Sequence, residues 1–440
     1  MDIQLKTKTD RFQMPWWINP SLFLLAFIVP MFLIISTALL GSRGSPTIAY
    51  QYSAPVYATP SDIAMILIAI LILAGGAAIT GGLGRTVYTH SPHRFALSET
   101  GLNFLFVLTV FAYILWFGSA LVNNPALIIG ALMGNPGASY AVRANINTIP
   151  GLTTLTQFGV SYILVVSALI GMGVRVKARF VAFAAVIMIL AAFRAAIWSE
   201  RIALVELIFP LFAVAAARLS LPGYAKPAIT LGPYLGAALM PFLFITFEIN
   251  RSWASTYSRL YDSIWQFTID RVSIYYTSAI NNGIGYLKSS HHPTFTGEYT
   301  FNWLYKMPFI GPQVGHFMDA NSYIEYAFFL RRSADIEFNN YTGIALIMHD
   351  WGWFFALFVF AAYGMIVGLS YKSFRESRGF LGLIFPLFLY ALYEILRIGY
   401  VNESRFFAAF VGVWLYWMIS GVSRRRGMPM VGPRRFQTLR

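Results

Sequence analysis

The sequence predicts an all-α integral membrane protein, with about ten transmembrane helices and one large outward-facing loop that contains an amphipathic helix. Hydrophobic residues make up 57% of the 440 residues and charged residues only 11%, against roughly 25% charged residues in a soluble domain. The net charge of +14 comes from short Lys and Arg clusters between apolar runs. This is the pattern of membrane topology signals and not the continuous basic face of a nucleic-acid-binding protein. We therefore expect membrane lipids, and no nucleic acid, as partners.

Ten apolar runs have about the 20 residues that cross a bilayer. They fall at 18–40, 62–82, 101–122, 151–172, 180–197, 201–218, 228–248, 343–370, 380–397 and 404–421. Residues 180–218 are nearly continuous, but a single helix of that length would be about 58 Å long, so we expect a hairpin that turns at residues 198–201. The first run is too long for a signal peptide and contains Pro30, so we interpret it as a retained span.

Successive connections between the predicted spans are alternately rich and poor in Lys and Arg. Because the rich connections face the cytoplasm, this pattern predicts that both termini are cytoplasmic. The predicted organisation is a seven-span region (1–248), a large outward loop (249–340), a three-span region (341–421) and a basic cytoplasmic tail (422–440). Loops as long as 249–340 are usually functional. Its first part, Trp253 to Ser278, has apolar residues at helical spacing and predicts an amphipathic helix along the outer leaflet. The second part predicts an irregular aromatic cap.

Four charges at the predicted hairpin turn form the strongest candidate site. They are Arg194, Glu200, Arg201 and Glu206. Charged side chains in an apolar environment are costly unless they are paired or solvated, so they mark functional sites by default. The alternative is an internal ion pair, for example Arg194 with Glu206, that only locks the hairpin.

A second group of polar residues closes the large loop. It comprises Arg332, Asn339, Asn340, His349 and Asp350. A helix that begins near Thr342 would place Thr342 and His349 on one face at the outer membrane interface. His349 or Asp350 is then a candidate general base, with Glu200 as a competitor and with Arg332, Asn339 and Asn340 positioning substrate. The alternative for His349 is an ordinary interfacial histidine bonded to a carbonyl.

Two further outward-facing arginines, Arg143 and Arg397, run against the positive-inside tendency and favour an anionic substrate, because guanidinium groups match phosphate oxygens. A lipid-linked pyrophosphate at the outer leaflet would account for them together with Arg194 and Arg201. The pair His291–His292 with His316 is a weak candidate for a metal site, and a solvated pair is the favoured interpretation because no fixed third ligand is nearby. No nucleotide-binding motif is present. We therefore expect neither a metal nor a soluble cofactor.

Several short motifs resemble the bacterial O-antigen and exopolysaccharide polymerases of the Wzy type. The segment 193–201, followed by Glu206, is similar to their Arg…Ser-Glu-Arg hairpin. Residues 339–343, with Asp350 and Gly352, are similar to the segment that leads out of their periplasmic loop. An Arg-x10-Gly pattern of some members fits Arg332, but it does not fit Arg143, because Gly151 follows too soon.

The resemblance implies a metal-independent glycosyltransferase in the bacterial inner membrane. It would join undecaprenyl-pyrophosphate-linked oligosaccharide repeat units at the periplasmic face, with a flippase and a chain-length-regulating co-polymerase as possible partners. Two alternatives remain open. One is an O-antigen ligase that passes the whole glycan to lipid A-core. The other is a non-enzymatic transporter of lipid-linked oligosaccharides, although the sequence shows no inverted pair of broken helices of the kind that transporters have.

Overall fold

The computed structural model describes most of the chain as α-helix. It covers residues 12–41, 54–83, 87–88, 97–133, 135, 138, 141–142, 151–198, 200–218, 223–249, 253, 257–290, 293–318, 322–334 and 336–425. The strand structure in these ranges is one antiparallel pair of two-residue strands, β1 (Phe12–Gln13) and β2 (Val87–Tyr88). The predicted all-helical class is therefore confirmed.

The main helices follow one another along the chain in this order: α1 (Pro20–Gly41), α2 (Pro60–Gly81), α3 (Glu99–Asn123), α4 (Pro125–Leu132), α5 (Leu152–Gly171), α6 (Ala178–Trp198), α7 (Ile202–Arg218), α8 (Gly232–Glu248), α9 (Ile264–Ser289), α10 (Ser322–Ser333), α11 (Gly343–Arg375), α12 (Gly379–Glu394) and α13 (Ser404–Arg425). Short helices cover Lys226–Thr230, Asn302–Tyr305 and Gly311–Phe317. Single helical turns cover Trp16–Ile18, Gly223–Ala225, Tyr257–Arg259, Ile336–Phe338 and Tyr400–Asn402.

Nine of the ten predicted apolar runs coincide with one helix each, and the run 228–248 covers two, Lys226–Thr230 and Gly232–Glu248. Within the described part of the chain, six helices are long and apolar enough to cross a membrane: α1, α2, α3, α5, α6 and α11. A seventh is added if the pair Gly223–Thr230 and Gly232–Thr246, bent by 72°, counts as one span. Ten spans remain a prediction. The chain turns between Trp198 and Ile202, as the length argument predicts.

Side-chain contacts sort the helix ends into two groups. At one end, which we call the basic end, Lys177 and Arg179 before and at the start of α6 pair with Glu99 at the start of α3, at 2.6 and 2.5 Å. Arg218 at the end of α7 donates to the carbonyl of Phe374 near the end of α11 at 2.6 Å. The opposite end carries residues 257–334, and we call it the loop end.

Helices α2 and α11 cross closely because glycines face each other at the crossing. A Cβ placed on Gly76 would lie 2.4 Å from the carbonyl oxygen of Ala361, and one on Gly364 would lie 2.2 Å from that of Leu73. Small residues of this kind let membrane helices approach within backbone contact. The crossing holds α11, and the candidate residues at its start, firmly against the bundle.

The loop helix differs from its prediction. It begins at Ile264, where the Ser263 side chain accepts a hydrogen bond from the backbone N–H of Gln266, and it continues to Ser289. The bounds Trp253 to Ser278 were therefore wrong at both ends. The second half of α9 is buried, because Gly283 lets it approach Ala345 of α11 closely. Short helices, including α10, take the place of the predicted irregular cap.

Helix α11 is broken at Gly352, whose φ of 69° and ψ of 171° are not helical. The break frees the carbonyls of His349 and Asp350, which accept backbone hydrogen bonds from Thr294 at 3.3 Å and from Phe295 at 2.8 Å. Glycine is suited to this position because side chains disfavour a positive φ. The break thus joins the large loop to the start of α11.

Candidate functional site

A buried charged cluster, the hairpin cluster, consists of Arg194, Glu200, Glu206 and Arg405. Arg194 donates from Nε and Nη2 to Oε2 of Glu200, at 2.9 and 2.6 Å. The other carboxylate oxygen, Oε1, accepts from Arg405 Nη2 at 2.6 Å. Glu200 is therefore held between two guanidinium groups, one from α6 and one from the start of α13. The arrangement neutralises the carboxylate and fixes both arginines.

Glu206 lies deeper, on α7, and is bonded by groups from three other segments. Its Oε1 accepts from Gln157 Nε2 at 3.0 Å and lies 3.6 Å from Arg405 Nη1. Its Oε2 accepts from the Tyr400 hydroxyl at 3.0 Å. The cluster therefore ties the ends of α5, α6, α7 and α13 together at the loop end.

Exposure divides the hairpin cluster into an inner and an outer layer. The side chains of Arg194 and Glu206 are each 3% exposed, whereas those of Glu200 and Arg405 are each 25% exposed. Arg194 is further held by Thr156, whose Oγ1 accepts from Nη1 at 3.0 Å, and by the Trp116 ring. A ligand that arrives at this cluster would therefore meet Arg405 and Glu200 first.

A second cluster is centred on Arg201 and Glu248. Its Nη2 donates to Glu248 Oε1 at 3.0 Å, and its guanidinium lies 3.6 Å from the centre of the Phe244 ring. Arg271 of α9 approaches the other oxygen of Glu248 to 4.0 Å and pairs with Glu337. Arg201 and Arg271 thus share Glu248 at the end of α8.

Tyr275 connects this second cluster with Arg397. Arg397 pairs with Glu394 at 2.6 Å, and its Nη1 donates to the Tyr275 hydroxyl at 2.7 Å. Burial would raise the pKa of Tyr275, but the neighbouring Arg397 and Arg201 and a hydrogen bond from Asn340 hold it below its ordinary value. The hydroxyl therefore lies in a strongly positive environment although each arginine has a carboxylate partner.

The two clusters and the adjoining pair of Arg397 with Glu394 contain equal numbers of opposite charges among the residues that the structure describes. The arginines are Arg194, Arg201, Arg271, Arg397 and Arg405, and the glutamates are Glu200, Glu206, Glu248, Glu337 and Glu394. Burying so many charges is costly unless each is paired. The pairing explains how the loop end tolerates them.

His349 and Asp350 lie in a third, mostly aromatic environment, and both are fully buried. The His349 ring stacks on Tyr286 at 4.6 Å between ring centres and meets Tyr299 edge-on at 5.3 Å. Oδ2 of Asp350 accepts from the backbone N–H of Thr300 at 2.6 Å and from its hydroxyl at 2.7 Å. Asp350 therefore anchors the loop backbone to α11.

The remaining predicted residues are dispersed. Asn340 reaches Tyr275, whereas Asn339 is exposed and contributes its backbone carbonyl to the Tyr326 hydroxyl at 3.0 Å. Arg332 is exposed on α10. Arg143 and the pair His291–His292 lie outside the described residues. The predicted start of α11 is confirmed, because Thr342 precedes the first helical residue and accepts from the backbone N–H of Ile344.

The proposed alternative pairing of Arg194 with Glu206 is replaced by pairing with Glu200. The predicted site did not include Arg405, which pairs with Glu200. Its position at the polar start of the last apolar run was the available signal.

No protein-family model matches the chain, and no curated protein or solved structure is significantly similar to it.

Proposed function

We propose that the chain is a polyprenyl-pyrophosphate-dependent polymerase of oligosaccharide repeat units in a bacterial inner membrane, with its active site at the periplasmic face. The observation that carries this proposal is the hairpin cluster. Three of its residues, Arg194, Glu200 and Glu206, belong to the segment that resembles polysaccharide polymerases, and they converge with Arg405 at the loop end. A polar cluster built from four helices of an apolar chain is typical of a functional site.

In this proposal, Arg405 and Arg194 bind the pyrophosphate of the growing chain. A sugar hydroxyl of the incoming repeat unit attacks the anomeric carbon of the donor, and the bond from that carbon to the pyrophosphate oxygen breaks. The pyrophosphate lipid leaves with the bonding electron pair, and the acceptor hydroxyl loses its proton. Arginines stabilise the charge that develops on the leaving group. Arg405 makes the first contact because it is the more exposed of the two.

The proton acceptor is proposed among the predicted carboxylates and His349. Glu200 is partly exposed, but both of its carboxylate oxygens already accept hydrogen bonds from guanidinium groups. The bonded oxygens of Asp350 favour an anchoring role in this arrangement. His349 is enclosed by tyrosine rings and would need the loop to open. Arg201, Arg397 and Asn340 form the adjoining polar wall around Tyr275, where the oligosaccharide is proposed to bind.

The test is chain extension by purified protein in lipid nanodiscs, with undecaprenyl-pyrophosphate-linked repeat units as the sole glycan. Arg405→Lys keeps a positive charge but loses the planar fork that bonds two oxygens. We expect a rate loss of about 10²–10³-fold, as for removal of a group that stabilises transition-state charge. Arg179→Lys is the matched control, because Arg179 pairs with Glu99 at the basic end.

Equal activity of Arg405→Lys and Arg179→Lys would refute the role of Arg405 in the reaction. Addition of lipid A-core to the same reaction distinguishes a ligase: the glycan would then transfer to lipid A-core, and repeat units alone would not be extended. Transport of labelled lipid-linked units between the two leaflets of a vesicle, without any extension, would favour the non-enzymatic alternative.

A further inference from the structure

Large apolar side chains are exposed along the loop segment 295–317. Phe309 and Phe317 are 88% and 86% exposed, and Phe295, Phe301 and Ile310 are 43–50% exposed. We call these five residues the aromatic lip. Scattered exposed apolar residues need no explanation, but a concentration of large ones on one segment marks an interaction surface. None of the five belongs to the hairpin cluster or to the second cluster.

The lip is attached to the first turn of α13. The Trp303 ring stacks on Phe407 at 3.9 Å with an interplanar angle of 3°. Glu403 accepts from Asn302 Nδ2 at 3.0 Å and pairs with Lys306 at 3.4 Å. Because α13 is a predicted span that begins at Ser404, these contacts place the lip at the depth where that span enters the bilayer.

The other end of the lip continues the outer surface of α11. The Phe295 ring meets Phe355 edge-on, with 6.0 Å between ring centres. Phe354, Phe355 and Phe358 are 53–65% exposed on this candidate span, as expected for side chains that face lipid. The exposed surface of the lip is therefore continuous with a face that already requires an apolar environment.

Two residues of the aromatic lip have a strained backbone conformation. Phe295 and Phe309 have φ values of 54° and 68°, a region that bulky residues rarely adopt. Hydrogen bonds of Phe295 and Thr300 to Asp350 maintain the conformation at the near end. Such strain persists where the surroundings determine the conformation, as the bond to Asp350 does at Phe295.

We infer that the aromatic lip inserts into the outer leaflet, with Phe309 and Phe317 among the acyl chains close to the headgroups. Lys306, whose side chain is 46% exposed, lies at the polar margin, where basic residues contact lipid phosphates. Aromatic residues flanked by a basic one are typical of segments that lie in a membrane interface. This inference is independent of the proposed enzymatic activity.

The chain has no cysteine, so single cysteines can be introduced for labelling. Phe309→Cys and Phe317→Cys would each carry an environment-sensitive fluorophore in vesicles of phosphatidylethanolamine and phosphatidylglycerol, with or without lipids spin-labelled high on the acyl chain. Phe358→Cys on α11 is the lipid-facing reference. Arg331→Cys, exposed on α10, is the aqueous reference.

Insertion predicts a blue-shifted emission for both lip positions and a loss of intensity with spin-labelled lipid, as at position 358. Water-like emission without lipid quenching, as at position 331, would overturn the inference. Blue-shifted emission without lipid quenching would also overturn it, because a protein partner or a second copy of the chain would then cover the lip. The use of two lip positions guards against a local effect of one substitution.

Discussion

Arg405 donates to Glu200 across 2.6 Å although 205 positions separate the two residues in the sequence. This contact closes the hairpin cluster by bringing the start of α13 against the turn between α6 and α7. It converts a local ion pair within one hairpin into a junction of several helices. The stability of the loop end should therefore depend on the cluster more than on any exposed ion pair.

Glu206 provides the first stability prediction. Glu206→Ala would remove the buried acceptor of Gln157 and Tyr400, and we expect a loss of about 1–3 kcal/mol, because two buried donors then lack their acceptor. Glu99→Ala is the control, since Glu99 is 36% exposed and such pairs contribute about 0–1 kcal/mol. Thermal unfolding in detergent compares them. Equal shifts of Tm would contradict the structural role of Glu206.

Adjacent glycines of α2 offer a matched pair. A Cβ on Gly76 would meet the Ala361 carbonyl oxygen at 2.4 Å, whereas one on Gly75 would have no atom within 4 Å. Gly76→Ala should cost about 1–3 kcal/mol through overpacking, and Gly75→Ala should be neutral or stabilising by up to about 1 kcal/mol. Unfolding of both variants is the measurement. The close crossing of α2 and α11 is incorrect if Gly76→Ala is as stable as Gly75→Ala.

The orientation in the membrane can be tested with an impermeant maleimide on intact cells. Single cysteines at Arg331, exposed at the loop end, and at Lys226, exposed before α8, should differ, with labelling at 331 and protection at 226. The asymmetry of Lys and Arg predicts this orientation. Permeabilised cells, in which both positions should react, provide the control. Labelling of position 226 alone in intact cells would reverse the topology.

The general base is tested by extension of lipid-linked repeat units with His349→Ala, Asp350→Asn and Glu200→Gln. Removal of a base should lower the rate by roughly 10²–10⁴-fold. Loss of the anchor that Asp350 provides should instead reduce stability, because asparagine has only one carbonyl oxygen to accept from Thr300 and Tyr299. Near-normal rates for the first two variants with a collapse for Glu200→Gln would assign the base to the hairpin.

The sequence predicts the helices well because the bilayer thickness sets both the length and the apolar character of each run. The sequence also predicts that Arg194 lies near Glu200, because six positions and the start of one short turn separate the two residues. Arg405 could not be assigned to them, because composition and spacing do not say which helix ends meet. The break at Gly352 could not be predicted either, because glycine also occurs within regular helices. The positive φ there is required only by the loop that docks against this part of α11.

The hairpin cluster also constrains the order in which the chain can enter the membrane. Arg194 and Glu200 belong to one hairpin, so they can neutralise each other as α6 and α7 insert. The Tyr400 partner of Glu206 follows 194 positions later, which is about 10–40 s of translation at typical rates. During that interval the newly inserted half lacks Tyr400 and Arg405, so of the three groups described at Glu206 only Gln157 is already present. The last helix therefore completes the assembly of the first seven.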